Sequence, residues 1–158
     1  MNSDRGTKPG LYLEDLRVGQ KFSTGPYVMQ ASRMKSFAAE FDPQPFHLDE
    51  AAAAASLFGG LAASGWHTAA ASMRLIVDGE LKLADGVVGL GGEISWPRPT
   101  RAGDTLRVDS EILAIVPSRS KPNQAIVKVR STTVNQRGEP VQVFTASLLV
   151  FKRAADSA

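Results

Sequence analysis

Cysteine is absent from this chain of 158 residues, and histidine occurs only twice. The absence of cysteine excludes disulfides, thiolate nucleophiles and zinc–thiolate sites, and it is compatible with a reducing compartment. His47 and Asp49 lie close together in the sequence, but two ligands are too few for a closed metal site. The composition therefore predicts chemistry that needs no metal.

The chain also lacks an excess of charge of one sign, since 18 basic and 16 acidic residues give a net charge of +2. No short segment gathers the basic residues, so nucleic acid is not a predicted partner. No window approaches the roughly 18 uncharged apolar residues of a membrane span. The first ten residues, MNSDRGTKPG, lack the apolar stretch of a signal peptide. We expect a cytoplasmic protein without a membrane segment.

Apolar residues, by contrast, make up 43% of the chain, and charged residues make up 22%. This composition is typical of a packed globular protein, and a chain of this length can bury one substantial core. Neither an internal repeat nor a linker rich in Pro, Gly or Ser divides it. The sequence predicts a single domain over residues 11–152, with flexible tails at 1–10 and 153–158.

Helical periodicity appears first after Ser32, which is a candidate N-cap. Apolar residues then recur at intervals of three and four up to Phe41, the spacing that lines one face of a helix. Proline disfavours the helical conformation in the residue before it. Pro43 and Pro45 therefore predict a stiff, extended loop after this helix.

Two more helices are predicted before the middle of the chain. Asp49 can cap a short helix through the alanine run at 51–55. Ser64 can cap a longer helix from about Gly65 to Val77, whose faces are nearly all small or apolar. Such a helix is normally buried on most sides, so we expect it at the centre of the fold. Its apolar stripe consists of Trp66, Ala69, Ala70, Met73, Ile76 and Val77.

Strand signals dominate the remaining segments. Residues 21–30 can form a strand, which Gly25 and Pro26 restrict to an edge or a bulge. The last two predicted strands flank a turn-forming cluster at 135–138 and indicate an antiparallel hairpin. Helices followed by an antiparallel sheet predict an α+β fold in which the sheet covers the long helix. The later strands are predicted at 87–96, 106–116, 125–134 and 141–151.

The stretch FDPQPFHLD at residues 41–49 places an acid and a histidine beside two prolines. His47 follows Asp42 by five positions, and an extended path of that length spans about 17 Å, so spacing alone does not bring the two side chains together. If the chain curls, both side chains can reach one site. The alternative is that Asp42 bonds the loop backbone and His47 is a partly buried structural residue.

Two common enzyme signatures are missing from the sequence. No G-x-S-x-G surrounds Ser64 or any other serine, which argues against a serine hydrolase of that type. The glycines of GVVGLGG precede strand-like residues instead of a helix, so they do not form a dinucleotide fingerprint.

Several blocks taken together resemble the signature of the MaoC-like dehydratases, also called (R)-specific enoyl-CoA hydratases. That signature is approximately D-x-N-P-x-H-x-D, a helix, and then a small residue and Gly that open the central helix. Residues 41–75, FDPQPFHLDEAAAAASLFGGLAASGWHTAAASMRL, are similar to it. Residues 98–106, RPTRAGDTL, are similar to the family's P-V-x-x-G-D-x-L segment. The resemblance extends from about Leu16 to the last strand.

The resemblance implies a hotdog fold, in which an antiparallel sheet is wrapped around a long central helix. It implies that Asp42 and His47 are the catalytic pair and that the Gly65 N–H receives the thioester oxygen. Ser64 and Gln44 are implied as further oxyanion or substrate-binding residues. Family members are usually homodimers with active sites near the subunit interface, and no metal or redox cofactor is implied.

We therefore expect a hydratase or dehydratase that interconverts a 2-enoyl-CoA and an (R)-3-hydroxyacyl-CoA. Gln44 stands where the family pattern has Asn, and Ser64 replaces a frequent histidine. These departures leave a non-catalytic acyl-CoA-binding hotdog module as an alternative. A hotdog acyl-CoA thioesterase is the other alternative.

Four further residues allow more specific expectations. Trp66 either narrows an acyl pocket or belongs to the core. His67 is expected to be a buried structural residue with a hydrogen-bond partner. Arg98 and Arg101 either meet the phosphates of CoA or lie at a solvated strand end.

Overall fold

The computed structural model describes residues 10–155, which form helices along one side of an antiparallel sheet. A 3-10 turn at Leu13–Asp15 comes first. Within residues 10–155, no helix has both the length and the apolar composition needed to cross a membrane. The helices are α1 (Ala31–Phe41), α2 (Pro45–Leu48), α3 (Glu50–Ala54) and α4 (Gly65–Asp78). The strands are β1 (Lys21–Val28), β2 (Val88–Ser95), β3 (Thr105–Pro117), β4 (Gln124–Val134) and β5 (Pro140–Phe151).

The five strands form one sheet in the order β1-β3-β4-β5-β2, and every neighbouring pair is antiparallel. The α+β prediction is confirmed. β4 and β5 pair around the turn at 135–138 as the predicted hairpin. Gly138 in this turn has a φ of 74°, a conformation that glycine adopts without the steric cost of a Cβ atom.

β1 lies at one edge of the sheet, and its pairing with β3 shifts register between Thr24 and Tyr27. Gly25 and Pro26 occupy this irregularity. Proline has no N–H to offer the ladder, so the edge position and the bulge that the sequence predicted as alternatives occur together.

α1 begins earlier than the sequence predicts. Gln30 is the last extended residue (φ −85°, ψ 133°), and its carbonyl already accepts from the Met34 N–H. Ser32 therefore lies inside the helix, where its carbonyl accepts from the Ser36 hydroxyl. The prediction of Ser32 as N-cap is wrong, whereas the predicted end at Phe41 is confirmed.

A one-turn helix, α2, takes the place of the extended loop expected after α1. Gln44 is extended (φ −97°, ψ 143°), as the proline after it requires. Pro45 then occupies the first helical position, where an N–H would have no acceptor within the helix, so proline loses no hydrogen bond there. The extended backbone predicted before Pro45 is confirmed at Gln44, whereas the helical turn of α2 was not predicted because each proline restricts chiefly the residue before it. Asp49 caps α3 as predicted, accepting from the Ala51 and Ala52 N–H groups.

α4 packs on β1, β3 and β5 through its small face. The predicted apolar stripe faces outward, since Trp66 is 60% exposed, Met73 41% and Val77 49%. The prediction that this helix is buried on most sides is therefore wrong for the single chain. Short side chains allow the sheet to approach closely, so the small face lies inward. The residues buried on α4 are His67, Thr68, Ala71, Ser72 and Leu75.

Two hydroxyl pairs join the inward face of α4 to neighbouring elements. Thr68 Oγ1 donates to Thr100 Oγ1 at 3.0 Å, and Ser72 Oγ shares a 2.6 Å hydrogen bond with Thr133 Oγ1. All four residues are buried, where an unpaired hydroxyl would be costly. These bonds fix the rotation of α4 against the sheet and thereby the position of its first turn.

Arg153, which the sequence places in the C-terminal tail, is held against the 3-10 turn. Its backbone N–H donates to Glu14, and its guanidinium donates to Asp15 at 3.0 Å. The guanidinium also lies 4.8 Å from the centre of the Tyr12 ring. Residues 1–9 and 156–158 of the two expected tails lie outside the described residues.

Candidate active site

The carboxyl group of Asp42 lies at the C-terminal end of α1, where Asp42 is the C-cap residue. Gln44 Nε2 donates to Oδ1 at 2.6 Å, and Ser64 Oγ donates to Oδ2 at 2.7 Å. The Asp42 side chain is 17% exposed. Each of its two oxygens therefore accepts from an uncharged donor.

These donors determine the charge state of Asp42. Burial raises the pKa of the carboxyl, but the hydrogen bonds from Gln44 and Ser64 and the charge of nearby His47 together lower it by more. The pKa consequently lies below its ordinary value of 3.8. Asp42 is a carboxylate at neutral pH, and it accepts hydrogen bonds without donating one.

His47 is carried by α2 and is buried. Its Nδ1 lies 2.7 Å from the carbonyl oxygen of Ala62. Because a carbonyl can only accept, Nδ1 carries a hydrogen, and in the neutral form of the ring the lone pair lies on Nε2. Nε2 lies 3.3 Å from Asp42 Oδ2. The one-turn helix thus supplies the curl that brings the two expected residues together.

Gly65 is the first residue of α4, and the N–H at this position has no acceptor one turn earlier in the helix. The preceding Ser64 does not cap α4 with its side chain, because its hydroxyl donates to Asp42 instead. Ser64 has no exposed surface in the single chain. Its hydroxyl therefore links the first turn of α4 to the end of α1.

A cavity of about 370 Å³ lies beside His47 and Gly65. Asp42 and Ser64 are not among the residues that line it, but Asp42 lies next to it through its contact with His47. An apolar wall with a few polar groups is typical of a small-molecule site. The wall includes Gln44, Phe46, Phe58, Trp96 and Arg98.

The indole of Trp96 covers the first turn of α4. A Cβ atom on Gly65 would lie only 2.7 Å from Trp96 Cε2, so the indole can lie this close to the backbone only because residue 65 is glycine. Trp96 Nε1 donates to Gln142 Oε1 at 3.1 Å. The ring also packs edge-on against Trp66, with 5.3 Å between ring centroids. Trp66 is largely exposed in the single chain and does not line the cavity; the expectation that it belongs to the core is wrong, and Trp96 forms the wall.

The two arginines considered for CoA phosphates differ in their surroundings. Arg98 lines the cavity and pairs with Glu139 at 3.1 Å. The guanidinium of Arg101 instead donates to three backbone carbonyls between residues 58 and 61. The Arg101 side chain is therefore held by the backbone of this loop instead of extending freely into solvent.

His67 is buried beside α1, and its ring stacks on Phe37 with 4.7 Å between ring centroids. Its Nδ1 has no hydrogen-bond partner among the described residues, contrary to the expectation that a buried histidine finds one. Burial lowers the pKa of His67, and the charge of Arg33 lowers it further. His67 is therefore neutral in the folded protein at neutral pH.

This lowered pKa predicts a pH-dependent stability. The ordinary pKa of His67 is 6.5, so the unfolded chain binds a proton there before the folded chain does as the pH falls. The free energy of unfolding should then decrease below about pH 6.5. His67→Phe keeps a ring against Phe37, and we expect it to remove part of this decrease. Urea unfolding at about pH 7.5 and about pH 5.5 measures it; equal decreases in both proteins would contradict the prediction.

Sequence reasoning missed several contributors to the site, including Phe58 and Trp96 in the cavity wall. Phe46 lies edge-on to His47, with 4.6 Å between ring centroids, and its place between Pro45 and His47 in the motif was a usable signal. The Ala62 carbonyl leaves no signal, because every residue has a carbonyl and only the fold brings this one to His47.

A family model described as MaoC like domain matches residues 15–135. The crystal structure of a MaoC-like dehydratase from Rhodospirillum rubrum is 59% identical with a TM-score of 0.91, covering 92% of this chain and 100% of that one. R-hydratase PhaJ1 from Pseudomonas aeruginosa is 27% identical with a TM-score of 0.71, covering 94% of each chain. YdeM, a Bacillus subtilis protein, is 32% identical over 139 residues, which are 87% of this chain and 96% of YdeM.

These comparisons agree with the order of elements described above. The Rhodospirillum rubrum structure covers nearly the whole chain at high similarity, and the expected hotdog fold is confirmed. The family model alone matches most of the sequence, including α1, α4 and β4. The chain therefore belongs to the MaoC-like family of hydratases and dehydratases.

Proposed function

We propose that the protein adds water to a 2-enoyl-CoA thioester to form an (R)-3-hydroxyacyl-CoA, or catalyses the reverse dehydration. The observation that carries the proposal is the 3.3 Å approach of His47 Nε2 to Asp42 Oδ2 beside a cavity that Gly65 also lines. The relative from Pseudomonas aeruginosa is named an R-hydratase, which supports both the reaction and the R configuration.

The two groups form a site for one water molecule. Nε2 of neutral His47 is an acceptor, because Nδ1 carries the ring hydrogen, and ionised Asp42 is an acceptor as well. A water molecule can donate one hydrogen to each of them. Its oxygen lone pairs then point away from both groups, and donation to two acceptors makes that oxygen a better nucleophile.

In the hydration direction, the water oxygen bonds to C3 of the enoyl group while His47 Nε2 takes one of its hydrogens. The π electrons of the C2=C3 bond move towards the thioester carbonyl and form an enolate. The imidazolium then gives its proton to C2, so that one H and one OH have been added. Asp42 remains an anion throughout and stabilises the imidazolium between the two steps.

The Gly65 N–H is proposed to receive the enolate oxygen. It belongs to the first turn of α4, where N–H groups are unpaired and the helix dipole is positive. One such donor is typically worth about 2.7–4 kcal/mol in a transition state. No metal or redox group is required, since the reaction moves one proton and one hydroxyl without oxidation.

We also propose that the protein is a homodimer. The outward face of α4 exposes Trp66, Met73 and Val77, and the edge strand β2 exposes Val88 and Leu90. Exposed apolar patches indicate protein contacts, and an open strand edge can pair with a second copy. A monomeric mass by light scattering at micromolar concentration would contradict this assembly.

The function is tested by following the absorbance of the conjugated enoyl thioester with purified protein and a panel of short, medium and branched 2-enoyl-CoA substrates. We expect the chromophore to disappear and an (R)-3-hydroxyacyl-CoA to form, with no release of thiol. Release of free CoA would identify a thioesterase instead. Tight thioester binding without turnover on any member of the panel would identify a non-catalytic binding module.

A further inference from the structure

Arg101 uses its guanidinium in an unusual way for a half-buried arginine. Nη1 donates to the Gly60 carbonyl at 2.9 Å and to the Leu61 carbonyl at 3.4 Å, and Nη2 donates to the Phe58 carbonyl. No carboxylate within residues 10–155 forms a salt bridge with it. Its charge is therefore compensated by backbone dipoles of a single loop.

This loop continues directly into the residue that orients His47. Ala62 follows Leu61, and its carbonyl accepts from His47 Nδ1 at 2.7 Å. Ala62 also forms an isolated antiparallel bridge with Arg101, and its N–H donates to the Phe46 carbonyl at 3.3 Å. The backbone of Arg101 thus holds the end of the loop, and its side chain holds the residues just before it.

The loop needs such support because of its composition. Gly59 has a φ of 63°, and Gly60 follows it. Glycine has the largest backbone freedom of any residue, so two in succession leave this segment free to adopt other conformations. A planar guanidinium offers five N–H donors in a fixed arrangement, which can hold several carbonyls in one geometry.

Asp104 anchors the backbone from which the guanidinium projects. Its Oδ2 accepts from the Arg101 N–H at 2.8 Å, and its Oδ1 accepts from Gln136 Nε2 at 3.0 Å. Asp104 is buried. A continuous set of hydrogen bonds therefore runs from Asp104 through Arg101 and the 58–61 loop to Ala62 and His47.

We propose that Arg101 is a positioning residue for His47. By holding the 58–61 loop, it keeps the Ala62 carbonyl where it fixes the hydrogen on Nδ1, which leaves Nε2 free to face Asp42. Arg101 also holds the carbonyl of Phe58, whose ring is part of the cavity wall. The kinetic part of this inference rests on the proposed hydratase function, whereas the tautomer of His47 does not.

The chain offers a readout that is independent of activity. Since it contains only two histidines, nitrogen NMR of the imidazoles at alkaline pH gives two sets of signals, and His67→Phe assigns them. In the wild type we expect His47 to be the Nδ1–H tautomer. In Arg101→Ala we expect a mixture of tautomers, because the 58–61 loop and the Ala62 carbonyl are no longer held.

We expect the same variant to lower kcat by roughly 10- to 100-fold, since displacing a catalytic group by about 1 Å has effects of that size. KM should change less than kcat. Added guanidinium ion should restore part of the kcat of Arg101→Ala but none of the kcat of His47→Ala. Arg107→Ala is the matched control, because Arg107 is exposed and, within residues 10–155, pairs with Asp109 alone; it should behave as wild type in both measurements.

An unchanged His47 tautomer in Arg101→Ala, together with a kcat within twofold of the wild type, would overturn the inference, even if the variant is less stable in urea. If Arg101→Ala does not fold, Arg101→Lys replaces it as the test, since an ammonium cannot hold three carbonyls in one plane. A wild-type tautomer of His47 and a wild-type kcat in Arg101→Lys would also overturn the inference. If the wild type turns over no thioester, the proposed function fails, and the tautomer still reports on Arg101.

Discussion

Replacing His47 with alanine should lower kcat for 2-enoyl-CoA hydration by roughly 10²- to 10⁴-fold, the usual contribution of general acid–base catalysis. The substitution removes Nε2, the group proposed to take a proton from water and return it to C2. Binding of the thioester should be largely retained, because the remaining wall of the cavity is unchanged. The measurement is kcat and KM from the loss of the enoyl chromophore.

Asp42→Asn should cause a loss of similar size although it keeps the shape of the side chain. The carboxylate accepts from Gln44 and from Ser64, one donor at each oxygen. In asparagine, an NH2 group replaces one of these two oxygens and faces a hydrogen-bond donor. If the NH2 group takes the Oδ2 position, it also donates to His47 Nε2 and occupies the lone pair that is proposed to accept the proton. The negative charge that stabilises the imidazolium is lost in both cases.

The other histidine provides a matched control for these variants. His67 stacks on Phe37 and does not line the cavity, so His67→Phe should retain normal turnover at neutral pH. Unfolding in urea separates loss of activity from loss of fold. Turnover by His47→Ala within threefold of the wild type, with the control intact, would contradict the assigned role of His47.

Gly65→Ala should be nearly as damaging, with kcat/KM lowered on the order of 10²-fold. The new methyl group would lie 2.7 Å from Cε2 and 2.9 Å from Cδ2 of the Trp96 ring, so the indole must move. Its bond to Gln142 and its packing on Trp66 oppose that movement. The displaced ring changes the wall of the cavity next to the proposed oxyanion donor. Overpacking of this kind also costs about 1–3 kcal/mol of stability.

A double-mutant cycle tests whether Trp96 is the cause. Alanine retains its backbone N–H, so removing the indole should leave the donor of Gly65→Ala available. We expect Gly65→Ala combined with Trp96→Ala to lose less activity than the product of the two single losses. If the loss of activity in the double variant equals the product of the two single losses, the collision with Trp96 does not explain the effect of Gly65→Ala.

The sequence was sufficient to predict the elements whose signals are local. The turn at 135–138 and the cap at Asp49 were correct because each depends on a few adjacent residues. The start of α4 at Gly65 was correct for the same reason. The proximity of Asp42 and His47 was expected only through the resemblance of the motif, since spacing left it open and nothing local predicted that the necessary curl would be the one-turn helix α2.

The remaining errors have a common physical origin. The face of α4 that lies inward depends on how closely the sheet can approach the helix. The face with mostly short side chains packs on the sheet, and the larger apolar stripe that contains Trp66 and Met73 does not. Arg101 seemed available to solvent because its carbonyl acceptors lie some forty positions away in sequence. Long-range contacts of this kind leave no periodicity and no motif in the chain.

The hydrogen bond between the Ser64 hydroxyl and Asp42 restricts how two helices can move relative to each other. It connects the end of α1 to the first turn of α4, so it links the pair proposed to take up a proton to the N–H proposed to receive the enolate oxygen. We expect this hydrogen bond to keep the separation between those two groups constant when the two helices move relative to each other.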